Sequence, residues 1–171
     1  MIVIVDYGMG NLGSLLNMFR YLKIPACIES DPKAMLSGKK FILPGVGAFD
    51  AAMHRINIVA GLRDVLNQKV FIEKTPILGV CLGMQLLTCG SEEGQLPGLG
   101  WIEGHTRRFP RNLGLKVPHM GWNIAASNFS DPLLNGVGTD PRYYFVHSYC
   151  VSVDDISHSL MRTQYGINFD S

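Results

Sequence analysis

The 171-residue chain is 47% hydrophobic and 17% charged, with a formal net charge of +1. That balance fits one compact domain and excludes a disordered tail, a coiled coil and a collagen-like repeat. At this length a chain buries roughly 70% of its unfolded surface without a disulfide or metal staple, and its mixed charges form no basic stripe for nucleic acid or an anionic membrane.

Ile2-Val3-Ile4-Val5 is a continuous apolar run ending at Asp6, with no basic segment or cleavage site around it. It reads as a strand buried on both faces rather than a signal peptide. Tyr7-Gly8-Met9-Gly10-Asn11 forms a glycine loop. Leu12, Leu15, Leu16, Phe19 and Leu22 then recur at steps of three and four, the mark of an amphipathic helix. Pro25 ends that helix, Ala26-Cys27-Ile28 is a second strand, and Asp31-Pro32 is a turn. Phe41-Ile42-Leu43 is a third strand stopped by Pro44-Gly45, and a helix starts near Ala48. Leu62, Val65, Leu66 and Val70 mark another helix, and Ile77-Leu78-Gly79-Val80 is a strand running into Cys81.

Such alternation predicts right-handed crossovers and a mainly parallel sheet covered by helices. After Gly90, runs such as Gly100-Trp101-Ile102, Leu115-Lys116-Val117 and Tyr143-Tyr144-Phe145-Val146 read as antiparallel strands. The expected fold is one α/β domain over 1–171, with its functional loops at the carboxyl ends of the parallel strands. The longest charge-free stretch, residues 75–91, carries Pro76, Gln85 and three glycines and is no membrane span. Cys27, Cys81, Cys89 and Cys150 show no CxxC and no metal-type pairing with histidine, so reduced thiols in the cytoplasm are expected.

Two loops carry chemistry. Gly79-Val80-Cys81-Leu82-Gly83 has the form of a nucleophile elbow, with cysteine in place of serine. A sharp strand-to-helix turn leaves no room for side chains two residues either side of the nucleophile. It also sets Cys81 at a helix N-terminus, which favours a thiolate, and aims the Leu82 N–H at a developing oxyanion. The bland alternative is a buried cysteine at a strand end. Pro44-Gly45-Val46-Gly47 follows a buried strand at the same sheet edge, and its glycines allow a second oxyanion donor. Alone it is an ordinary turn; beside the elbow it makes an acyl-transfer centre.

Gly79-Val80-Cys81-Leu82-Gly83-Met84-Gln85 resembles the nucleophile motif of class-I, triad-type glutamine amidotransferases. Four further segments narrow the likeness: 6–11, Leu43-Pro44-Gly45-Val46-Gly47-Ala48-Phe49, Lys116-Val117-Pro118-His119-Met120-Gly121-Trp122-Asn123, and Tyr144-Phe145-Val146-His147-Ser148-Tyr149. In this order they are similar to the glutaminase subunits of imidazole glycerol phosphate synthase, over nearly the whole chain. The resemblance implies a flavodoxin-like α/β fold with an added antiparallel portion, and a cysteine glutaminase without cofactor or metal. Cys81 would attack the side-chain amide of glutamine, with Val46 and Leu82 as oxyanion donors. Gln85 and Glu93 would hold the substrate's amino-acid end, and His147, Ser148 and Tyr149 would line the bound glutamine. Asn11, Met120 and Trp122 would face a (β/α)₈-barrel cyclase partner in a heterodimer serving histidine biosynthesis. Without the family, Glu93 reads as a solvated charge, His147 as a satisfied histidine on a strand, and Trp122 as core.

One part of the pattern is missing. The family supplies its base and orienter as His-Pro-Glu, well after a Tyr-Gly-x-x-Phe segment; here Tyr165-Gly166-Ile167-Asn168-Phe169 is present and the chain stops at Ser171. None of His54, His105, His119, His147 or His158 has Asp or Glu two residues later. The expectation is a domain truncated at its C-terminus, whose 171 residues hydrolyse little glutamine alone. The competing readings are a paralogue feeding ammonia to a cell-surface sugar synthase and a non-catalytic binding protein. The intact elbow favours a glutaminase.

Overall fold

In the computed structural model, residues 1–171 are described, the side chain of Leu113 excepted. Ile2–Val5 forms β1, and three of its four residues are buried, as a strand covered on both faces requires. Asn11 caps α1 (Leu12–Tyr21), its side-chain oxygen accepting from the Ser14 N–H at 3.2 Å. The apolar stripe of α1 is there, but no residue of the helix is buried. β2 (Ala26–Glu29) follows. Asp31-Pro32 is the start of a short helix, α2 (Pro32–Met35), rather than a turn: Asp31 accepts from the Lys33 N–H, and Pro32 takes the first helical position.

β3 (Lys40–Gly45) runs through Pro44-Gly45 rather than stopping there, since both residues stay in register with the next strand. α3 (Phe49–Ile58) and α4 (Leu62–Asn67) return the chain to β4 (Ile77–Cys81). Between α4 and β4, a π-helical turn over Gln68–Ile72 buries Lys69. Its ammonium bonds the Leu36 carbonyl and Glu73 at 2.7 Å, which satisfies the buried charge. The sheet order is β2-β1-β3-β4, all parallel. Phe41, Leu43, Phe49, Met53, Ile56, Leu62 and Leu66 pack its core, each such side chain contributing about 1.5–3 kcal/mol.

The second half is antiparallel. β5 (Gly104–Arg108), β6 (His119–Ser127), β7 (Arg142–His147), β8 (Tyr149–Val153), β9 (Met161–Tyr165) and β10 (Ile167–Asp170) form a sheet of order β5-β8-β10-β9-β6-β7. A four-residue helix, α5 (Leu82–Gln85), and the loops after it lead from β4 to this sheet. There the Cys89 and Glu92 N–H groups donate to the Gly104 and Thr106 carbonyls, at 3.0 and 2.9 Å.

Two expected strands are absent. The N–H groups of Leu99, Gly100, Trp101 and Ile102 turn back onto the carbonyls of Leu86, Leu87 and Thr88. Trp101 also donates to the Asn67 side chain at 2.9 Å, so Gly100-Trp101-Ile102 closes the helix end. At Leu115-Lys116-Val117, the Lys116 carbonyl accepts from the Tyr165 hydroxyl at 2.8 Å, and Leu115 lies over Gly166. That segment is held by side chains, not by a ladder. No helix among the described residues is long and apolar enough to cross a membrane.

Candidate active site

Cys81 ends β4 with φ 55° and ψ −118°, a backbone conformation that L-residues rarely adopt. Such strain costs on the order of 1–3 kcal/mol and is found at functional sites. The glycines explain how the turn is built. A Cβ on Gly79 would sit 2.6 Å from Met84 Cα and 2.7 Å from the Gly83 carbonyl oxygen, and one on Gly83 would run into the Leu43 carbonyl oxygen. The elbow and β3 therefore meet backbone to backbone. Cys81 is exposed while Leu82 is buried, so the turn presents the thiol and hides its neighbour. The helix behind it, α5, is a single turn, a smaller dipole than the sequence pattern suggests.

The oxyanion loop lies alongside. Pro44 pairs with Val80 and Gly45 with Cys81, so Val46 leaves the sheet beside the thiol. The buried Tyr7 hydroxyl donates to the Pro44 carbonyl at 2.6 Å, just ahead of this loop. Burial pushes the Tyr7 phenol well above its ordinary value, which keeps it a neutral donor. Met9 lies against Gly47.

Glu93 reaches the same corner. Its carboxylate accepts from the Phe49 N–H at 3.0 Å, at the first turn of α3, which follows the oxyanion loop. Asp50, one residue further, accepts from the Gln95 N–H at 2.9 Å and the Leu96 N–H at 2.9 Å. Two carboxylates thus fasten the loop after α5 to the start of α3. Sequence reasoning missed Asp50, and only its place in the first turn of a helix could have signalled a role. Gln85 closes α5, where its carbonyl accepts from the Thr88 hydroxyl at 2.8 Å. Cys81, Leu82, Val46, Gln85 and Glu93 are therefore assembled at one edge of the parallel sheet.

His147, Ser148 and Tyr149 lie at the junction of β7 and β8. No hydrogen bond among the described residues joins them to Cys81. Their link to the first group runs through Arg108, which pairs with Tyr149 and whose N–H donates to Glu92 at 2.8 Å. His147 Nδ1 lies 2.7 Å from the Tyr149 carbonyl oxygen, which can only accept, so Nδ1 carries the proton. Nε2 of His147 then accepts from His119 Nδ1 at 2.9 Å, and His119 Nε2 accepts from Asn123 Nδ2 at 3.3 Å. Asn123 Nδ2 also donates to the Gln164 carbonyl at 3.0 Å. Phe109, Phe145, Tyr165 and Phe169 surround the two rings. Burial lowers both imidazoles below their ordinary value; for His119 the neighbouring His147 lowers it further. The sequence reading of His147 as a satisfied strand histidine holds beside any role toward substrate. His119 and Asn123 went unassigned, although their alternation along β6 places them on one face.

The opposite face of that hairpin is open. Met120 pairs with Val146 and Trp122 with Tyr144, and all four are exposed, Trp122 by 70%. Trp122 and Tyr144 pack edge to face with ring centroids 5.6 Å apart. The core reading of Trp122 is excluded. Asn11 spends its side chain on the cap of α1. All four cysteines are free thiols. Cys150 is buried, and burial, then Glu92 and Asp170, push its thiol up to about 11, leaving it inert. Among the described residues no cluster of His, Cys, Asp and Glu could hold a metal ion.

A sequence profile of the glutamine amidotransferase class-I family matches residues 3–167. The chain is 47% identical over 171 residues to imidazole glycerol phosphate synthase subunit HisH 2 of Methanococcus maripaludis, covering 100% of this chain and 84% of that protein. It is 44% identical over 173 residues to imidazole glycerol phosphate synthase subunit HisH of Bdellovibrio bacteriovorus, covering 99% and 84%. Among solved structures, a crystal structure of a glutamine amidotransferase superimposes with a TM-score of 0.70 at 17% identity, over 95% of this chain and 80% of that one. That likeness is one of fold.

Proposed function

The chain belongs to the class-I glutamine amidotransferases, and within them to the HisH subunits; on that premise we propose that it is the glutaminase subunit of an imidazole glycerol phosphate synthase, hydrolysing glutamine to glutamate and ammonia for a cyclase in histidine biosynthesis. The observation that carries this reading is the exposed Cys81 on a strained elbow, in register with Gly45 and beside Val46.

The chemistry follows from that arrangement. Cys81 Sγ attacks the side-chain amide carbon of glutamine, and the carbonyl π electrons move onto oxygen. The N–H groups of Leu82 and Val46 receive that oxyanion. The C–N bond then breaks, ammonia leaves with a proton from a general acid, and a glutamyl thioester remains. Water adds to the thioester and restores the thiol. Glu93 suits the substrate ammonium, and Gln85 with His147, Ser148 and Tyr149 suits the rest of the amino acid. We assign the base to none of the five histidines: none is hydrogen-bonded to Cys81 among the described residues, and His119 and His147 are committed to each other.

The partner reading is a heterodimer with a (β/α)₈-barrel cyclase in the cytoplasm. The exposed Met120, Trp122, Tyr144 and Val146 face supports the interface, and the free thiols support the compartment. Replacing the nucleophile tests the whole reading. In the assembled synthase, Cys81→Ala abolishes glutamine-dependent turnover while free ammonia still supports the cyclase. Retained glutaminase activity would mean that another nucleophile is at work.

A further inference from the structure

We propose that His119 is a positioning residue for the His147–Tyr149 segment, fixing through one hydrogen bond the bend that lines the glutamine site; this rests on the glutaminase reading above. At Ser148 the chain changes neighbours. β7 pairs with β6, whereas β8 pairs with β5 and β10, and a single residue separates them. A bend between two ladders has few backbone bonds of its own: the Ser148 carbonyl accepts from the Phe109 N–H at 3.3 Å.

The His147 ring adds a side-chain restraint across the bend. It donates from Nδ1 across the bend to the Tyr149 carbonyl and accepts at Nε2 from His119 Nδ1. Its orientation is thus set by His119, which is itself held at both ends. Asn123 donates to its Nε2, and its ring stacks on Tyr165 at 4.0 Å and 22° and on Phe145 at 4.9 Å and 21°. Every donor in this line has an acceptor, and the line has one direction. Removing the His119 donor leaves Nε2 of His147 unpaired among aromatic rings, a situation that a ring resolves by turning away and releasing the Tyr149 carbonyl.

Packing and hydrogen bonding predict opposite orders for two substitutions. His119→Phe keeps the stack and deletes the donor. His119→Asn loses the stack and keeps an amide N–H close to the place of Nδ1. The readout is saturable labelling of Cys81 in the unaltered chain and its variants by a chloroketone analogue of glutamine, with the iodoacetamide rate as a measure of the bare thiol. His119→Phe is expected to raise the half-saturating concentration about tenfold, the worth of one hydrogen bond, at an unchanged iodoacetamide rate. His119→Asn recovers most of that loss.

Ser148→Trp, which fills the bend itself, tests the underlying reading. If Ser148→Trp weakens labelling but His119→Phe does not, or if Phe outperforms Asn, the positioning role is overturned alone. If Ser148→Trp labels normally, or if the unaltered chain shows no saturable labelling, the glutamine-site reading falls and the proposal with it. Nitrogen NMR of the unaltered chain needs no variant to fold: protons on Nδ1 of both imidazoles support the line, and a proton on Nε2 of His147 overturns it.

Discussion

Cys81 and its flanking glycines show how little freedom a nucleophile elbow has. The turn is defined by contacts between main chains, so side-chain repacking cannot absorb a change there. Gly83→Ala would drive a methyl group into the Leu43 carbonyl oxygen on β3. The expected cost is about 1–3 kcal/mol from overpacking, more if the strand cannot shift. A thermal melt of Gly83→Ala measures it, with Gly13→Ala as the control, because nothing lies within 4 Å of a Cβ on Gly13. A melting temperature unchanged by Gly83→Ala would show that β3 yields freely. At this scale the sequence was a good guide: five residues in a fixed pattern announced the turn, and the reason for each glycine is visible in the contacts it avoids.

The β6–β7 hairpin shows both the reach and the limits of pattern reading. Alternation puts His119, Gly121 and Asn123 on one face and Met120, Trp122 and Ile124 on the other, so the faces were legible. The pairing His119 with His147 was not, because register depends on which strands become neighbours across the second half of the chain. An expected strand that did not form has the same origin: at Gly100-Trp101-Ile102 the amides found partners on the end of α5 and its following turn, which no local signal reveals. The imidazole pair has a consequence for the whole element. Both rings are held neutral by burial, below their ordinary value near 6.5. The unfolded chain therefore takes up protons first as pH falls. Stability is full above about pH 6.5 and declines as pH drops from there through the depressed folded values. Melts in a pH series should show this decline, and His119→Asn should flatten it. An identical profile in that variant would place the titration elsewhere.

On the scale of the molecule, the nucleophile elbow and the exposed aromatic face lie on different sheets. Cys81, Val46, Leu82 and Glu93 stand at the edge of the parallel sheet, and the exposed aromatic face belongs to the antiparallel one. Under the proposed heterodimer, Trp122→Ala should weaken binding of the cyclase by about 2 kcal/mol or more, as for a central aromatic anchor. An exposed residue contributes little to folding, so the melting temperature should hardly move. Titration calorimetry beside a thermal melt separates the two, and unchanged cyclase affinity would remove Trp122 from the interface. The pairing of Gly45 with Cys81 also bears on how the molecule comes into being. Helices α3 and α4 lie between the strands that carry these residues, so the elbow and the loop beside it meet only after that whole crossover has folded back. Non-local pairing of parallel strands is slow compared with forming a helix. During refolding, saturable chloroketone labelling at Cys81 appears only after the β3–β4 ladder has closed, so the nucleophile reports on the assembly of its own scaffold.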